Sequence, residues 1–167
     1  ETAGNPSRHL KRAIEYIMNP EKRMIKVCEV NQALHVNKIN SEQIYERMLY
    51  TKRIFGKEWG RQGYHFIISF ADQDHITPEE AVQIIDEIQK EYLKDAYECV
   101  YAVHDNTEHL HGHLIFNSID CVKGMKYHYK KEIGKRTFCR VWIRCVKMGI
   151  EGITIGRKSR SRTIWRA

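Results

Sequence analysis

The sequence has 167 residues, enough for one domain with a hydrophobic core, and 42% of them are hydrophobic, which is usual for a globular protein. No stretch approaches the roughly 18 consecutive apolar residues of a membrane span, and no secretory signal is visible, so we expect a cytoplasmic protein without membrane insertion. Lys and Arg number 28 against 21 acidic residues, and this charge of +7 favours a polyanionic partner, nucleic acid ahead of an anionic membrane. Five cysteines without a C-x-x-C pair argue against a disulfide framework and against a thiolate zinc site.

The first half of the chain predicts two helices and two strands. Ser7 is placed to cap a helix that runs to about Met18 and ends at Asn19-Pro20. Residues 24–30 alternate as a strand, and residues 41–55 have the apolar spacing of a second helix. Residues 56–63 form a glycine-punctuated basic loop. Residues 64–70 predict a strand with His65, Ile67 and Ser69 on one face.

The second half adds a helix and a pair of strands. Thr77 caps a helix to about Leu93, with Pro78 at its first position and Glu80 completing a capping box. Strands are expected over residues 98–104 and 110–118, joined by a turn, and a basic turn over 122–126. Residues 130–140 have the composition of a helix start, and 158–166 that of a cationic tail. This order predicts a single α+β domain with an antiparallel β-sheet flanked by helices.

Four of the nine histidines fall within ten residues, in the segment V-H-D-N-T-E-H-L-H-G-H-L-I-F-N from Val103 to Asn117. His111 and His113 are two residues apart, so in a strand their imidazoles share a face and can reach one metal ion. His104, at the end of the preceding strand, is placed to add a third nitrogen across the turn. Gly112, between two of these candidate ligands, leaves room for close packing behind the metal, and His109 fits a loop position better than a ligand position.

Three imidazoles without a thiolate describe an open metal site, in which substrate or water occupies the remaining positions. On a basic protein, the expected task of such a metal is to polarise a phosphodiester. Water and tyrosine are both candidate nucleophiles, and the spacing of the nine tyrosines selects none of them.

Three segments together resemble the relaxases, the mobilisation nucleases within the HUH endonucleases, and most closely their VirD2-like branch. H-D-N-T-E-H-L-H-G-H-L-I-F-N resembles the three-histidine motif, L-K-R-A-I-E-Y-I-M-N-P-E-K from Leu10 to Lys22 the tyrosine motif, and G-R-Q-G-Y-H-F-I-I-S-F from Gly60 to Phe70 the second motif. The resemblance covers about residues 5–130, whereas 131–167 form a divergent basic tail. Only six residues precede the first helix, which leaves open whether the chain has the first strand of that fold.

The resemblance implies a nuclease that nicks one DNA strand at an origin of transfer in a bacterial cytoplasm. Tyr16 would attack the scissile phosphate and form a 5′-phosphotyrosyl intermediate, with His104, His111 and His113 holding a divalent ion. A free tyrosine is a poor nucleophile at neutral pH, and Glu108 is the candidate base. Whether Glu108 or Asp105 supports the site stays open.

The implied partners are single-stranded DNA, accessory relaxosome proteins and a coupling protein. Mg²⁺ or Mn²⁺ is the expected physiological ion, and Zn²⁺, Ni²⁺ or Co²⁺ also suits imidazole ligands. Candidate DNA-binding residues come from the first helix, the segment after it and the glycine-punctuated loop: Arg8, Lys11, Arg12, Lys22, Lys57 and Arg61.

Two alternatives remain at this point. A rolling-circle replication initiator or transposase-like HUH nuclease is disfavoured because Tyr16 precedes the histidines, whereas those groups usually place the tyrosine after them. A non-catalytic nucleic-acid-binding module with a structural or vacant histidine site is the other.

Overall fold

The computed structural model describes residues 6–21, 28–34, 36–104, 109–129, 138, 141, 143, 145–147, 149–150, 152–157 and 162–166. Its helices are α1 (Pro6–Met18), α2 (Ser41–Ile54) and α3 (Pro78–Leu93), with a short 3₁₀ turn at Asp72–Asp74. Its strands are β1 (Cys28–Val30), β2 (Gly63–Phe70), β3 (Cys99–His104), β4 (His111–Asn117), β5 (Ile153–Arg157) and β6 (Arg162–Arg166). The predicted helices and the first four strands are therefore present, with ends that agree within a few residues for the described segments.

The strands form one six-stranded sheet in the order β1-β3-β4-β2-β5-β6. Every neighbouring pair is antiparallel. The predicted fold class, α+β with an antiparallel sheet flanked by helices, is confirmed.

Two hydrophobic clusters cover the two faces of the sheet. One lies against α3 and includes Phe66, Ile85, Leu114 and Phe116. The other lies against α1 and α2 and includes Ile14, Ile17, Val100, Ala102 and Ile115. Successive residues of a strand point to opposite faces, so His104, His111 and His113 belong to the face that α1 covers.

The helices begin where local sequence satisfies their free amide groups. At α3 the Thr77 hydroxyl accepts from the Glu80 amide while the Glu80 carboxylate accepts from the Thr77 amide, and Pro78 opens the helix. This capping box was predicted and is confirmed. At α2 the cap is Asn40, whose side-chain oxygen accepts from the Gln43 amide at 2.9 Å.

The C-terminal segment departs from the sequence prediction. Arg162–Arg166, predicted as part of a cationic tail, forms the edge strand β6, and Ile153–Arg157 forms β5 beside β2. Ile153 and Ile155 are buried on one face of β5, and the residues that alternate with them, Thr154 and Gly156, are half-buried. Phe138, Val141, Ile143 and 145–147 are helical, while most of the helix start predicted over 130–140 lies outside the described residues. No helix in the described part of the chain combines the length and apolarity needed to cross a membrane.

Candidate metal centre

Three histidines meet where the β3–β4 hairpin opens. His104 ends β3 and pairs directly with His111 at the start of β4, and His113 pairs with Ala102. One ring nitrogen from each imidazole lies within 4.8 Å of the corresponding nitrogens of the other two. His104 and His113 are buried and His111 is half-buried, so the group is open on one side. The predicted convergence of these side chains is what the structure shows.

Backbone carbonyls orient two of the rings. His104 donates from Nε2 to the carbonyl of Ile17 at 2.9 Å, and His111 donates from Nδ1 to the carbonyl of His109 at 3.1 Å. A carbonyl can only accept, so each of these nitrogens carries a proton, and in the neutral imidazoles the lone pairs lie on His104 Nδ1 and His111 Nε2. A metal ion binds neutral imidazoles, and the second nitrogen of such a ligand almost always donates a hydrogen bond, as these two do. The residues present therefore fit a divalent ion.

His65 completes the group from β2. Its Nε2 lies 2.8 Å from Nδ1 of His113, a distance at which one nitrogen donates and the other accepts. When His113 is the donor, its Nε2 holds the lone pair that a metal needs. The strand alternation predicted that His65 shares a face with Ser69, but not that it would bond to His113.

Tyr16 lies in the last turn of α1 and reaches the same group. Its ring centroid is 5.8 Å from that of His104 and 5.8 Å from that of His113, edge-on to both. The next residue, Ile17, supplies the carbonyl that orients His104. The end of α1 thus presents the tyrosine and fixes one imidazole at the same time.

Gly112 allows α3 to approach the strand between the two histidines. A Cβ at this position would lie 2.2 Å from Cδ1 of Ile85, far inside van der Waals contact. Ile85 is fully buried, so its δ-methyl group fills the space that a side chain at position 112 would need. The predicted close packing behind the histidines is present, and Ile85 provides it.

The predicted DNA-binding residues that the structure describes lie at or near the surface. Arg8 and Arg12 are exposed on α1, Lys57 is half-buried and Arg61 exposed in the loop before β2. Lys11 instead turns to α2 and pairs with Glu42 at 2.6 Å, a hydrogen bond that raises the Lys11 pKa. Three further predicted residues, Lys22, Glu108 and Asp105, lie outside the described residues.

His109, predicted not to be a ligand, has an exposed imidazole bonded to Asp72 at 2.7 Å. Its contribution to the site comes through its backbone carbonyl, which accepts from His111. Sequence reasoning missed this role and that of the Ile17 carbonyl, because every residue has a carbonyl and only the fold selects one. Ser69 is exposed and pairs with His111 across the sheet, on the predicted face.

Comparison with known proteins identifies similar sequences. The family model "Relaxase: MobA/VirD2-like, nuclease domain" matches residues 16–141, a stretch that includes Tyr16 and the three histidines. The group II intron-interrupted relaxase LtrB of Lactococcus lactis subsp. cremoris (strain MG1363) is 28% identical over 142 residues, 73% of this chain and 25% of that protein. Protein rlx of Staphylococcus aureus is 33% identical over 82 residues, 49% of this chain and 24% of that protein. The chain thus spans about a quarter of the length of these relatives.

Proposed function

The chain belongs to the MobA/VirD2-like relaxase nuclease family, and on that premise we propose that it nicks single-stranded DNA at an origin of transfer through a covalent tyrosine intermediate. The observation that carries this proposal is the position of Tyr16, edge-on to two of three histidines whose ring nitrogens converge. A tyrosine next to a candidate metal site pairs a nucleophile with a group that can polarise the phosphodiester it attacks.

His104, His111 and His113 would hold the divalent ion. When bound there, such an ion polarises a phosphoryl oxygen and stabilises the charge that develops on it. Mg²⁺ or Mn²⁺ is the proposed physiological ion. The imidazole set also suits Zn²⁺, Ni²⁺ or Co²⁺, and these are useful probes of binding.

Tyr16 is the proposed nucleophile. Its hydroxyl oxygen forms a bond to the scissile phosphorus in line with the leaving 3′ oxygen, whose bond to phosphorus breaks. The tyrosine proton passes to a base, for which Glu108 is our candidate and Asp105 the alternative. The 3′ oxygen takes up a proton from that base or from water and leaves as a hydroxyl. The 5′ phosphate stays esterified to Tyr16, so the strand can be rejoined without ATP.

The basic surface supports a polyanionic substrate. Arg8 and Arg12 are exposed on the helix that carries Tyr16, and Lys57 and Arg61 lie in the loop before β2. We propose that these side chains contact DNA phosphates, as cations do in most nucleic-acid complexes. Lys11, paired with Glu42, would have to exchange that partner to do the same. Accessory relaxosome proteins and a coupling protein complete the proposed assembly.

The test compares adduct formation in two histidine variants. The protein is incubated with Mn²⁺ and a randomised pool of single-stranded oligonucleotides, and DNA that stays attached in detergent is counted. His111→Ala should form at least about 100-fold less adduct than the wild type, because a metal ligand is missing. Adding EDTA to the wild type should reduce the adduct by a similar factor. His109→Ala is the matched control and should keep it, since its exposed imidazole is bonded to Asp72 and its carbonyl remains.

A metal-independent adduct that persists in His111→Ala would contradict the proposal. Binding to the oligonucleotide pool should survive in both variants and weaken with salt, because it depends on phosphate contacts rather than on the histidines. That measurement shows that His111→Ala has lost chemistry and not its fold.

A further inference from the structure

Hydrogen bonds join the loop after β4 to the loop before β2, at the end of the sheet where β2 begins. The ammonium of Lys126 donates to the carbonyls of Trp59 and Arg61 at 2.7 and 3.2 Å, and to the Ser118 hydroxyl at 3.4 Å. On the other side of this contact, Gly124 has a left-handed φ of +67° and lies against the Phe55 ring so closely that a Cβ would be 2.2 Å from it. The loop after β4 is therefore locked onto the loop before β2.

The turn that carries Trp59 is held from inside as well. The buried amide of Gln62 donates to the carbonyls of Glu58 and Gly60 at 2.7 and 2.9 Å. The backbone on both sides of Trp59 is thus fixed by one buried side chain. A side chain on such a turn is pre-organised, which lowers the entropy lost when it binds a partner.

The indole of Trp59 projects from this frame and is 66% exposed. The ammonium of Lys126 lies 5.0 Å from the centroid of its ring, a cation–π contact. The guanidinium of Arg61 lies 5.2 Å from the ring centroid of Tyr64. We call Trp59, Lys126, Arg61 and Lys57 together the Trp59 surface. Most of the indole ring in this surface is open to a partner.

The cations of the Trp59 surface form no ion pair with a carboxylate of the described residues. Within the described part of the chain, Lys57, Arg61 and Lys126 form no ion pair, whereas neighbouring Arg53 is paired with Glu58 at 3.2 Å. Burial, and to a smaller extent the positive charge of Lys57, holds the pKa of Lys126 below its ordinary value. Crowded cations of this kind favour an anionic partner.

We propose that the Trp59 surface is a binding subsite for single-stranded DNA, in which one base stacks on the Trp59 indole while Lys57 and Arg61 contact the adjoining phosphates. Stacking platforms flanked by cations are the general solution for binding single strands without reading sequence. The proposal rests on the proposed function and places a second contact outside the reacting phosphate. Gly63 opens β2 and Ile67 pairs with His113, so the loop and the metal site lie roughly 13 Å apart along the strand, a span of a few nucleotides.

The test measures binding of a fluorescein-labelled (dT)₂₀ oligonucleotide in EDTA, where no nicking interferes. Trp59→Ala should weaken the affinity about 5- to 100-fold, and Trp59→Phe, which keeps an aromatic ring, should retain most of it. Quenching of tryptophan emission on binding should shrink in Trp59→Phe, because the stacked indole is gone. Both substitutions are at an exposed side chain, and unchanged thermal unfolding will show that the fold is intact.

The charge arm compares two variants that each lose one positive charge. Arg61→Gln should reduce the slope of log affinity against log salt by about 0.7, the value for one phosphate contact on a single strand. Lys90→Gln, at a lysine of α3 paired with Asp86, should leave the slope unchanged. An unchanged (dT)₂₀ affinity in Trp59→Ala, or a wild type that does not bind the oligonucleotide, would overturn the proposal. If the wild type binds (dT)₂₀ but forms no metal-dependent adduct, and Trp59→Ala loses this binding, the subsite is supported and the nicking function is refuted.

Discussion

Replacing Gly112 by alanine tests how tightly α3 is packed behind the strand that carries two of the histidines. The new Cβ would lie 2.2 Å from Cδ1 and 3.2 Å from Cγ1 of Ile85. Gly112 is not among the glycines with a left-handed backbone, so the conflict is one of packing and not of φ. Ile85 is fully buried, and its δ-methyl group can move away only into other core side chains.

The magnitude follows from two opposing effects. Overpacking a core by one methyl group costs about 1–3 kcal/mol. Replacing glycine by alanine also restricts the unfolded chain, which returns about 0.4–1 kcal/mol. The net loss for Gly112→Ala is then about 1–2 kcal/mol, a fall in Tm of roughly 2–8 °C for a chain of this size.

The assay is a double-mutant cycle by urea unfolding. Ile85→Val removes the clashing Cδ1 and should cost about 0.5–1.5 kcal/mol alone. In that background the alanine at position 112 should cost almost nothing, which gives a coupling energy of at least about 1 kcal/mol. Co²⁺ affinity should fall in Gly112→Ala and recover in the double variant, because the strand between His111 and His113 returns to its place. Additive free energies of unfolding would refute the packing argument.

Two further predictions concern the half-buried His65 beside the site and the buried Lys52 of α2. His65→Phe should weaken Co²⁺ binding by about 10- to 100-fold, because the hydrogen bond to His113 Nδ1 is lost, while His65→Gln keeps a polar group there and should bind almost normally in calorimetry. Equal affinities for both variants would show that the 2.8 Å contact does not orient His113. Lys52 is fully buried, and desolvation, against the opposing charge of Glu98, lowers its pKa from 10.5 to about 7. The unfolded chain then binds the Lys52 proton more tightly than the folded chain does. Burying the ammonium therefore lowers the free energy of unfolding by an amount on the order of 5 kcal/mol below pH 7, and this destabilisation decreases as the pH rises to 10.5. Lys52→Met should therefore stabilise the protein most at pH 6.5 and much less at pH 10, and a stabilisation independent of pH in urea unfolding would contradict this.

The local chemistry of the sequence predicted much of the fold. The alternation in β2 placed His65 and Ser69 on one face, and Thr77 with Glu80 marked the start of α3 because a capping box satisfies amides that belong to its own turn. The two-residue spacing of His111 and His113 needed only the period of a strand to place both on one face. These features depend on neighbours in the chain, which is why the sequence was sufficient.

Other features depend on which segments become neighbours in the fold. The contact of His65 with His113 exists because β2 lies beside β4, a register that no local pattern encodes. The Ile17 carbonyl reaches His104 across 87 residues of sequence. The strands β5 and β6 were missed because basic composition suggested a solvated tail, although the alternation of Ile153 and Ile155 was a usable strand signal.

The site itself was predicted in part. The three histidines converge as their spacing predicted. The resemblance to relaxases led to Tyr16, which is half-buried on α1 and without that resemblance would be interpreted as an ordinary aromatic residue. The structure adds what orients these groups: two carbonyls, a fourth histidine and the close approach of Ile85 to Gly112. The roles of Tyr16 and Glu108 remain predictions that chemistry must test.

The most direct test of the central proposal is to map the residue that carries the DNA in the covalent adduct. Adduct formed with Mn²⁺ is digested with nuclease and trypsin, and the nucleotide-bearing peptide is sequenced by mass spectrometry. Trypsin releases residues 13–22 as one peptide with a single tyrosine, Tyr16. We predict that the nucleotide is attached to this tyrosine and that Tyr16→Phe yields no adduct. An adduct attached to His9 or Tyr64, or one that persists in Tyr16→Phe, would contradict the assignment of the nucleophile.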